Sequence, residues 1–172
     1  MIGPMRRLPG LVLLVAAATS AIATSGCSST CCSAPDIAGV AAAKQAFLDA
    51  WTKEPGKPFE LTKLDAICDR SPDFLSFDAV SSDKTVIEGY AAYTAIWGPG
   101  MNGFTSARLS ESRAVRTWVG GDLAVTASIA RIQGEMKDGT KLDMPGHLTL
   151  TYRHDAHGWR VVHEHMSLGV KP

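Results

Sequence analysis

The sequence predicts an α+β domain in which three helices precede a long antiparallel β-meander. Up to Trp97, apolar residues recur at the spacing typical of helices, and beyond Gly100 they alternate with polar residues over four long runs. Short turn segments separate these runs, so consecutive strands are expected to pair as neighbours. A long curved sheet wrapped over three helices makes a cone, which closes with apolar contacts at its base and leaves a cavity at its mouth.

Prolines and glycines divide the helical part into separate elements. Asp36 can cap the first helix, and the segment Pro55–Pro58 stops it. Ser71-Pro72 breaks the chain again before a short strand. The predicted elements are a helix from Asp36 through Trp51, a helix from Thr62 to Asp69, a strand from Asp73 to Asp78 and a helix from Val86 to Trp97.

The second part of the chain changes to the period of strands. The predicted strands are Ser106–Trp118, Leu123–Glu135, Asp143–Arg153 and Trp159–Ser167. Each of the three connections, at residues 119–122, 137–140 and 154–158, contains both Gly and Asp. These residue types favour tight reversals, so each connection is predicted to be a short turn.

The register of the last hairpin decides which side chains line the cone. Side chains alternate across a strand, so Trp159, Val161, His163 and His165 are predicted to share the inner face. Pairing Arg153 with Trp159 would place Thr149 opposite His163 and His147 opposite His165. The outer face would then hold the apolar set Leu148, Leu150, Tyr152, Val162 and Met166, which a partner subunit would cover. In the alternative register, one residue away, Leu148 and Leu150 are buried in the cone instead.

A group of polar and aromatic residues is predicted to converge in this cone. The candidate ligand-binding residues are Asp78, Tyr93, Trp97, Arg131, His147, Thr149, His163 and His165. We favour a pocket in which imidazoles and hydroxyls orient a small organic molecule against aromatic walls, with no cofactor and no metal. Acid–base catalysis by histidine, a three-histidine metal site and a purely structural polar cluster are the alternatives.

The closing pattern Trp-x-x-Val-His-x-His-x-Ser, Trp159–Ser167, resembles the last hairpin of the SnoaL-like branch of the nuclear transport factor 2-like (NTF2-like) superfamily. A similar run ends the association domain of calcium/calmodulin-dependent protein kinase II. The segments Phe74–Asp78, Ile87–Tyr90 and Gly121–Val125 follow in the matching order. The resemblance implies a cone-shaped, cystatin-like fold, a pocket in each subunit and a homodimer formed through the outer face of the sheet.

Enzymes of the same fold provide the second functional hypothesis. Ketosteroid isomerases and dehydratases of this fold use inward carboxylates with tyrosine or histidine, so the resemblance implies Asp78 as a base assisted by Tyr93. No motif in the sequence fixes that pairing. Thr149 stands where the kinase association domain has an inward arginine, which argues against the anion binding of that domain.

The N-terminal segment is predicted to direct export. Arg6 and Arg7 precede an apolar run from Leu8 to Ala18, followed by small residues, as in a bacterial secretory signal. Thr24–Cys27 resembles a lipobox, and we expect lipidation of Cys27 and attachment to the membrane, with plain secretion into the periplasm or medium as the alternative. The predicted organisation is a signal peptide at 1–26, a tether at 27–35 and a SnoaL-like domain at 36–172.

Charge and cysteine content narrow the classes of partner. Lys plus Arg and Asp plus Glu both number 17, and no basic stripe is present, so nucleic acid is not an expected partner. Cys27, Cys31 and Cys32 lie in the tether and Cys68 lies in the domain. If Cys27 is lipidated, an odd number of thiols remains, and their pairing stays open.

Overall fold

In a computed structural model, which describes residues 34–78 and 86–169, the helices come first and the long strands follow. The helices are α1 (Ala34–Ala50), α2 (Leu61–Ile67) and α3 (Tyr90–Gly100), which continues into a 3-10 turn, Met101–Gly103. The strands are β1 (Leu75–Asp78), β2 (Val86–Glu88), β3 (Phe104–Gly120), β4 (Leu123–Met136), β5 (Lys141–Asp155) and β6 (Gly158–Leu168). The predicted signal segment and most of the tether lie outside the described residues.

The strands form one sheet in the order β2-β1-β6-β5-β4-β3. Strands β3 to β6 are the predicted antiparallel meander, and β1 adds to it in parallel with β6. This confirms the α+β class and the curved sheet over helices. Among the described residues, no helix is both long and apolar enough to cross a membrane.

Both ends of the third helix differ from the prediction. Val86–Glu88, predicted as the first turn of a helix, forms strand β2, because Gly89 adopts φ 84° and separates it from α3. A positive φ is readily accessible to glycine alone, so the helix begins only at Tyr90. At the other end, Pro99 lies inside the last turn of α3 rather than beyond it.

Helix α1 packs on the inner face of the sheet and forms the base of the cone. Its buried face contains Val40, Phe47 and Leu48. A Cβ on Gly39 would lie 2.9 Å from Cδ1 of Trp159, so the glycine allows the helix to approach this ring of β6 closely. The apolar face of α1 and the start of β6 therefore close the base, as the alternation in Trp159 and Val161 predicts.

A β-bulge in β6 corrects the predicted register of the last hairpin. Thr151 pairs with His163 but Tyr152 pairs with Val161, which leaves Val162 as an extra residue. Arg153 pairs with Arg160, so its predicted pairing with Trp159 is wrong. A bulge reverses the alternation of side chains beyond it, because two residues of one strand oppose one residue of the other.

As a result, most side chains of the last hairpin lie on the face opposite to the predicted one. Leu148, Leu150, Tyr152 and Met166, predicted to lie outside, are buried on the inner side of the sheet. His163 and His165, predicted to lie inside, share the outer face with Phe77 of β1. Trp118 of β3, 55% exposed, also lies on that outer face. The homodimer through this face stays a prediction, and its surface is composed of these residues rather than of the leucines.

The close approach of β3 and β4 at Gly134 predicts an effect on stability. Gly134 lies opposite Ala107, and a Cβ there would lie 2.4 Å from the carbonyl oxygen of Ser106. Gly134→Ala is expected to lower the free energy of unfolding by about 1–3 kcal/mol, because the backbone of β3 has to shift to admit the methyl group. Urea denaturation of the two proteins measures this difference.

The matched control is Gly120→Ala at the exposed end of β3, where nothing lies within 4 Å of an added Cβ. Its unfolding free energy is expected to change by less than about 0.5 kcal/mol. Equal losses in the two variants would contradict the close approach at Gly134.

Candidate functional site

A largely apolar cavity of about 80 Å³ lies in the cone, between the ends of α1 and α3 and the inner face of the sheet. Its apolar lining consists of Trp51, Trp97, Met101, Phe104, Ala107, Leu109, Ile132, Leu142, Met144 and Met166. Asp78, Glu164 and Arg108 supply its charged or ionisable groups. The volume is about half that of an engineered cavity of about 150 Å³ that admits benzene, so a six-membered ring can enter only if lining side chains move.

Two tryptophans form the helical side of this cavity. Trp51 follows the end of α1 and Trp97 lies in the last turns of α3, with ring centroids 4.9 Å apart and planes at 82°. Tyr93 meets Trp51 edge to face and Phe59 packs against it with planes at 30°, and aromatic contacts of this kind stabilise a rigid wall. Among the described residues, neither indole Nε1 has a hydrogen-bond acceptor.

The polar side of the cavity is a buried carboxyl pair. Glu164 of β6 and Asp78 at the end of β1 are each 3% exposed. The hydroxyl of Tyr93 donates a short hydrogen bond to Oε2 of Glu164, and Oγ of Ser76 donates to the same oxygen at 3.4 Å. The parallel pairing of β1 with β6 places Asp78 opposite Met166, on the strand next to Glu164.

Burial controls the protonation of this pair. Desolvation raises the pKa of Glu164 to about 8, and the negative charge of Asp78 adds to the rise, against the lowering effect of the bonds from Tyr93 and Ser76. Burial and the charge of Glu164 also raise the pKa of the Tyr93 hydroxyl. The raised pKa favours the neutral acid form of Glu164 near neutral pH, and that form can donate a hydrogen bond or exchange a proton with a bound molecule.

The structure brings three of the predicted site residues to this cavity. Asp78 and Trp97 line it, and Tyr93 acts on it through its bond to Glu164. The other five lie on the outer side of the sheet, so the prediction that they converge in the cone is wrong. These five residues are Arg131, His147, Thr149, His163 and His165.

Two of the five outer residues, Arg131 and His163, have polar partners outside the cone. Arg131 forms a bidentate ion pair with Asp143, at 2.5 and 2.6 Å. Nδ1 of His163 lies 2.9 Å from the carbonyl oxygen of Leu75, and its ring centroid lies 5.0 Å from that of Phe77. Burial lowers the pKa of His163, which favours its neutral form. Histidine-based catalysis in the cone therefore has no support in the geometry.

The three-histidine metal alternative also lacks its arrangement. Within residues 34–78 and 86–169, no group of three His, Cys, Asp or Glu side chains is placed to hold a metal ion. On the outer face, His147 of β5 is paired with Ser167 of β6, and His165 is paired with Thr149, two residues further along β5.

Sequence reasoning missed Glu164, Ser76 and Trp51 as site residues. Strict alternation continued from Trp159 past Val162 places Glu164 on the outer face together with Met166. The apolar residues Leu148 and Leu150 could have revealed it. If both are required to be buried in the cone, the alternative register is selected, and Glu164 then points into the cone.

Comparisons with known proteins agree with this architecture. The family model described as a SnoaL-like domain matches residues 46–171. An NTF2-like superfamily protein from Salmonella enterica serovar Typhimurium is 18% identical, with 78% of this chain and 88% of the other covered and a TM-score of 0.61. No curated protein matches the chain.

Two further solved structures share the fold at low identity. A Streptomyces avermitilis protein of the NTF2-like family, provisionally titled a dehydratase, is 16% identical, with 80% and 98% of the two chains covered and a TM-score of 0.66. The CaMKII hub of S. rosetta is 15% identical, with 77% and 93% covered and a TM-score of 0.56. The family match and these neighbours confirm the resemblance predicted from the closing hairpin.

The raised pKa of Glu164 predicts a pH-dependent stability. Between the ordinary value of 4.5 and about 8, folded Glu164 keeps its proton while the unfolded chain releases it. The free energy of unfolding should therefore fall as the pH rises through this window, by up to a few kcal/mol. Glu164→Gln cannot ionise, so its urea-unfolding free energy should change less between about pH 5 and about pH 8.

Glu88→Gln is the matched control for that measurement, because Glu88 is exposed on β2. This variant should keep the pH dependence of the unmodified protein. A Glu164→Gln protein with that same pH dependence would show that the carboxyl group is ionised in the folded state.

Proposed function

The chain belongs to the SnoaL-like domain family, and on that premise we propose that it binds a small organic molecule in its conical cavity. The observation that supports the proposal is the composition of the cavity wall. Rigid aromatic and flexible methionine side chains surround a space with one polar end, at Glu164 and Asp78. Small-molecule sites in proteins are typically concave and apolar, with a few placed polar groups that orient the ligand.

The methionines favour an adaptable fit. Met101 of the 3-10 turn, Met144 of β5 and Met166 of β6 all line the cavity. Methionine is unbranched and polarisable, so it fills irregular gaps and adjusts to ligands of different outline. A ligand larger than the described space can therefore be admitted by movement of these side chains, while the edge-to-face tryptophans keep one wall in place.

A second candidate function is acid–base catalysis of the isomerase or dehydratase kind. Its support is the pairing of two carboxyl groups, Glu164 and Asp78, with the hydroxyl of Tyr93. Adjacent carboxyl groups with different protonation can act as acid and base on one substrate. In this form of the hypothesis Glu164 replaces histidine as the partner of Asp78, because the histidines lie outside the cone.

The substitution Asp78→Asn distinguishes binding from catalysis. Cyclohexanone is a suitable probe, because movement of the methionine side chains can admit a six-membered ring and because its hydrogens next to the carbonyl group exchange with D₂O when a base removes them. For a binding protein, the affinity for cyclohexanone should be preserved in Asp78→Asn and neither protein should accelerate the exchange. For an enzyme, exchange followed by NMR should be accelerated and should fall by about 10²–10⁴-fold on substitution.

His163→Gln on the outer face is the control and should leave both affinity and exchange unchanged. Loss of binding in this control but not in Asp78→Asn would place the ligand outside the cone. A protein that binds neither cyclohexanone nor any co-purified molecule in native mass spectrometry would refute the proposed function.

We also propose that the domain is exported and held at a bacterial membrane by a lipid on Cys27. The support is the order of Arg6 and Arg7, the apolar run and the Gly26-Cys27 pair, all in the segment before the described residues. One lipid-modified cysteine followed by a short polar stretch makes a tether rather than a spanning helix.

Cys27→Ser should release the full-length protein from the membrane fraction, because the serine hydroxyl cannot accept the thioether-linked lipid. Cell fractionation with immunoblotting measures the shift, and Cys31→Ser is the control that should stay with the membrane. The stretch Ala21-Ile22-Ala23 fits an ordinary cleavage site, so a soluble wild-type protein that mass spectrometry finds to begin at Thr24 would contradict lipidation and leave plain secretion.

A further inference from the structure

We propose that the molecule bound in the cone carries a positively charged amino group, which the carboxyl groups of Asp78 and Glu164 hold at the polar end of the cavity. Its apolar body then lies against the aromatic and methionine side chains of the lining. This inference rests on the proposed binding function and names the chemical class of its ligand. Three features support it: the sign of the ionisable groups in the lining, the surroundings of the carboxyl pair and the size of the cavity.

The ionisable groups at the polar end of the cavity are acids. Asp78 and Glu164 both line the cavity, and both are buried. Arg108 is the one basic residue in the described lining, but it is exposed and lies between Ala107 and Leu109, which also line the cavity. Because side chains alternate along a strand, Arg108 directs its guanidinium group to the opposite face of the sheet. The polar end of the described lining therefore presents carboxyl groups, and its basic side chain lies elsewhere.

Two carboxyl groups in one buried site favour a cationic ligand. Neighbouring carboxyl groups resist ionising together, because each negative charge opposes the other, and a positive charge beside them removes this opposition. The described hydrogen-bond partners of Glu164 are the hydroxyl groups of Tyr93 and Ser76, which bring no charge. An ammonium group has three N–H donors and no acceptor, so both carboxyl groups can accept from it. Hydrogen bonds of this charge-assisted kind are stronger than those between neutral groups.

The rest of the lining favours an organic cation over a metal ion. Calcium and magnesium bind about six or more oxygen ligands, and among the described residues no group of three His, Cys, Asp or Glu is placed to hold a metal. Trp51, Trp97 and Phe104 supply aromatic rings instead. The faces of such rings attract an ammonium group within about 6 Å of the ring centre. The apolar body of an amine also gains contacts with the methionines that a metal ion cannot make.

Binding of the ammonium group should release the proton of Glu164. The free site favours the neutral form of Glu164, whereas a bound cation stabilises its carboxylate. An alkylamine has a pKa of about 10.4, as in lysine, so the ligand keeps its own proton at neutral pH and the proton of Glu164 passes to the solvent. The other titratable groups around Glu164 are Asp78 of β1, Tyr93 of α3 and Cys68, which follows α2. Burial raises the pKa of the Tyr93 hydroxyl and of the Cys68 thiol, so both stay protonated.

The volume of the cavity favours a slender ligand. At about 80 Å³ it is smaller than an engineered cavity that admits benzene. An unbranched alkyl chain is narrower than a ring, so it enters with less displacement of the lining side chains. Together these features indicate a short aliphatic amine, with its ammonium group at the carboxyl pair and its chain along the aromatic and methionine side chains.

Three probes with the same four-carbon chain test the charge of the ligand. Butylammonium, butan-1-ol and butanoate have a positive, a neutral and a negative head group. We expect butylammonium to bind the wild-type protein at least about tenfold more tightly than butan-1-ol, the effect of one hydrogen bond to a charged group. Butanoate should bind more weakly than butylammonium. Isothermal titration calorimetry at pH 7 measures the three affinities.

The number of protons released reports on Glu164 directly. Titrations with butylammonium in phosphate and in HEPES, two buffers of different ionisation enthalpy, should show release of up to about one proton per molecule bound. Butan-1-ol should release none. The affinity for butylammonium should also rise with pH, by up to about tenfold per pH unit, and level off near about pH 8, because ionised Glu164 is the form that binds the cation.

Variants of the two carboxyl groups locate the effect in the cone. In Asp78→Asn, the preference for butylammonium over butan-1-ol should fall about tenfold, because one negative charge is lost. In Glu164→Gln, butylammonium should release no proton and its affinity should no longer rise with pH. Glu88→Gln, which alters an exposed carboxyl group on β2, is the matched control and should keep both the preference and the proton release.

The outcomes separate this inference from the proposed function. If butan-1-ol or butanoate binds as tightly as butylammonium, if no proton is released, or if the preference persists in both cavity variants, the inference is overturned while binding in the cone stands. If neither cyclohexanone nor any of the three probes binds the wild-type protein or the Glu88→Gln control, the inference and the proposed function both fail. The wild-type titrations decide the question even where a cavity variant does not fold.

Discussion

Strand β6 turns Trp159 and Val161 toward α1 and also turns Glu164 and Met166 toward the cavity, and it does both because Val162 is an extra residue between the two pairs. Without the bulge, a strand that buries Trp159 would point His163 inward and Glu164 outward. The closed base of the cone and its polar interior thus depend on one irregular position. Bulges are often found where a strand has to redirect a side chain, and this one places an ionisable group in the core.

Because Glu164 is buried, the folded domain has to accommodate a carboxyl group that is almost out of contact with water. A charged carboxylate at this depth would have lost its water without gaining a cation, since its described partners are hydroxyl groups. Burial therefore favours the neutral acid form of Glu164. The hydroxyl groups of Tyr93 and Ser76 donate hydrogen bonds to its Oε2 atom. Glu164 also lines the cavity, so the residue that is difficult to bury is also one that can act on a ligand.

The two faces of the sheet consequently have different chemistry. The inner face carries the buried carboxyl groups and the methionines of β5 and β6, opposite Trp51 and Trp97 on the helical side, which suits recognition of a mostly apolar molecule. The outer face combines His163, His165, Phe77 and Trp118, and its mixed aromatic and titratable character is that of a surface open to contact with another chain. The fold that the chain shares with NTF2-like proteins accommodates both, because an antiparallel sheet with helices on one side only leaves its second face uncovered.

Local pattern was sufficient to determine the class and order of the elements. The helical spacing from Val40 to Trp51 and the alternation along β3, β4 and β5 are properties of neighbouring residues, and glycine-containing turns mark where each strand ends. Asp78, Tyr93 and Trp97 could also be assigned to the cone, since each belongs to an element whose buried face is evident. Tertiary structure alone decided the polar end of the site. Whether Val162 is bulged depends on how β6 pairs with β5 while Trp159 packs on Gly39 of α1, and neither contact is encoded in the period of the strand itself. One unpaired residue exchanges the faces of every position that follows it, and this is why Glu164 lies in the cone and the histidines do not.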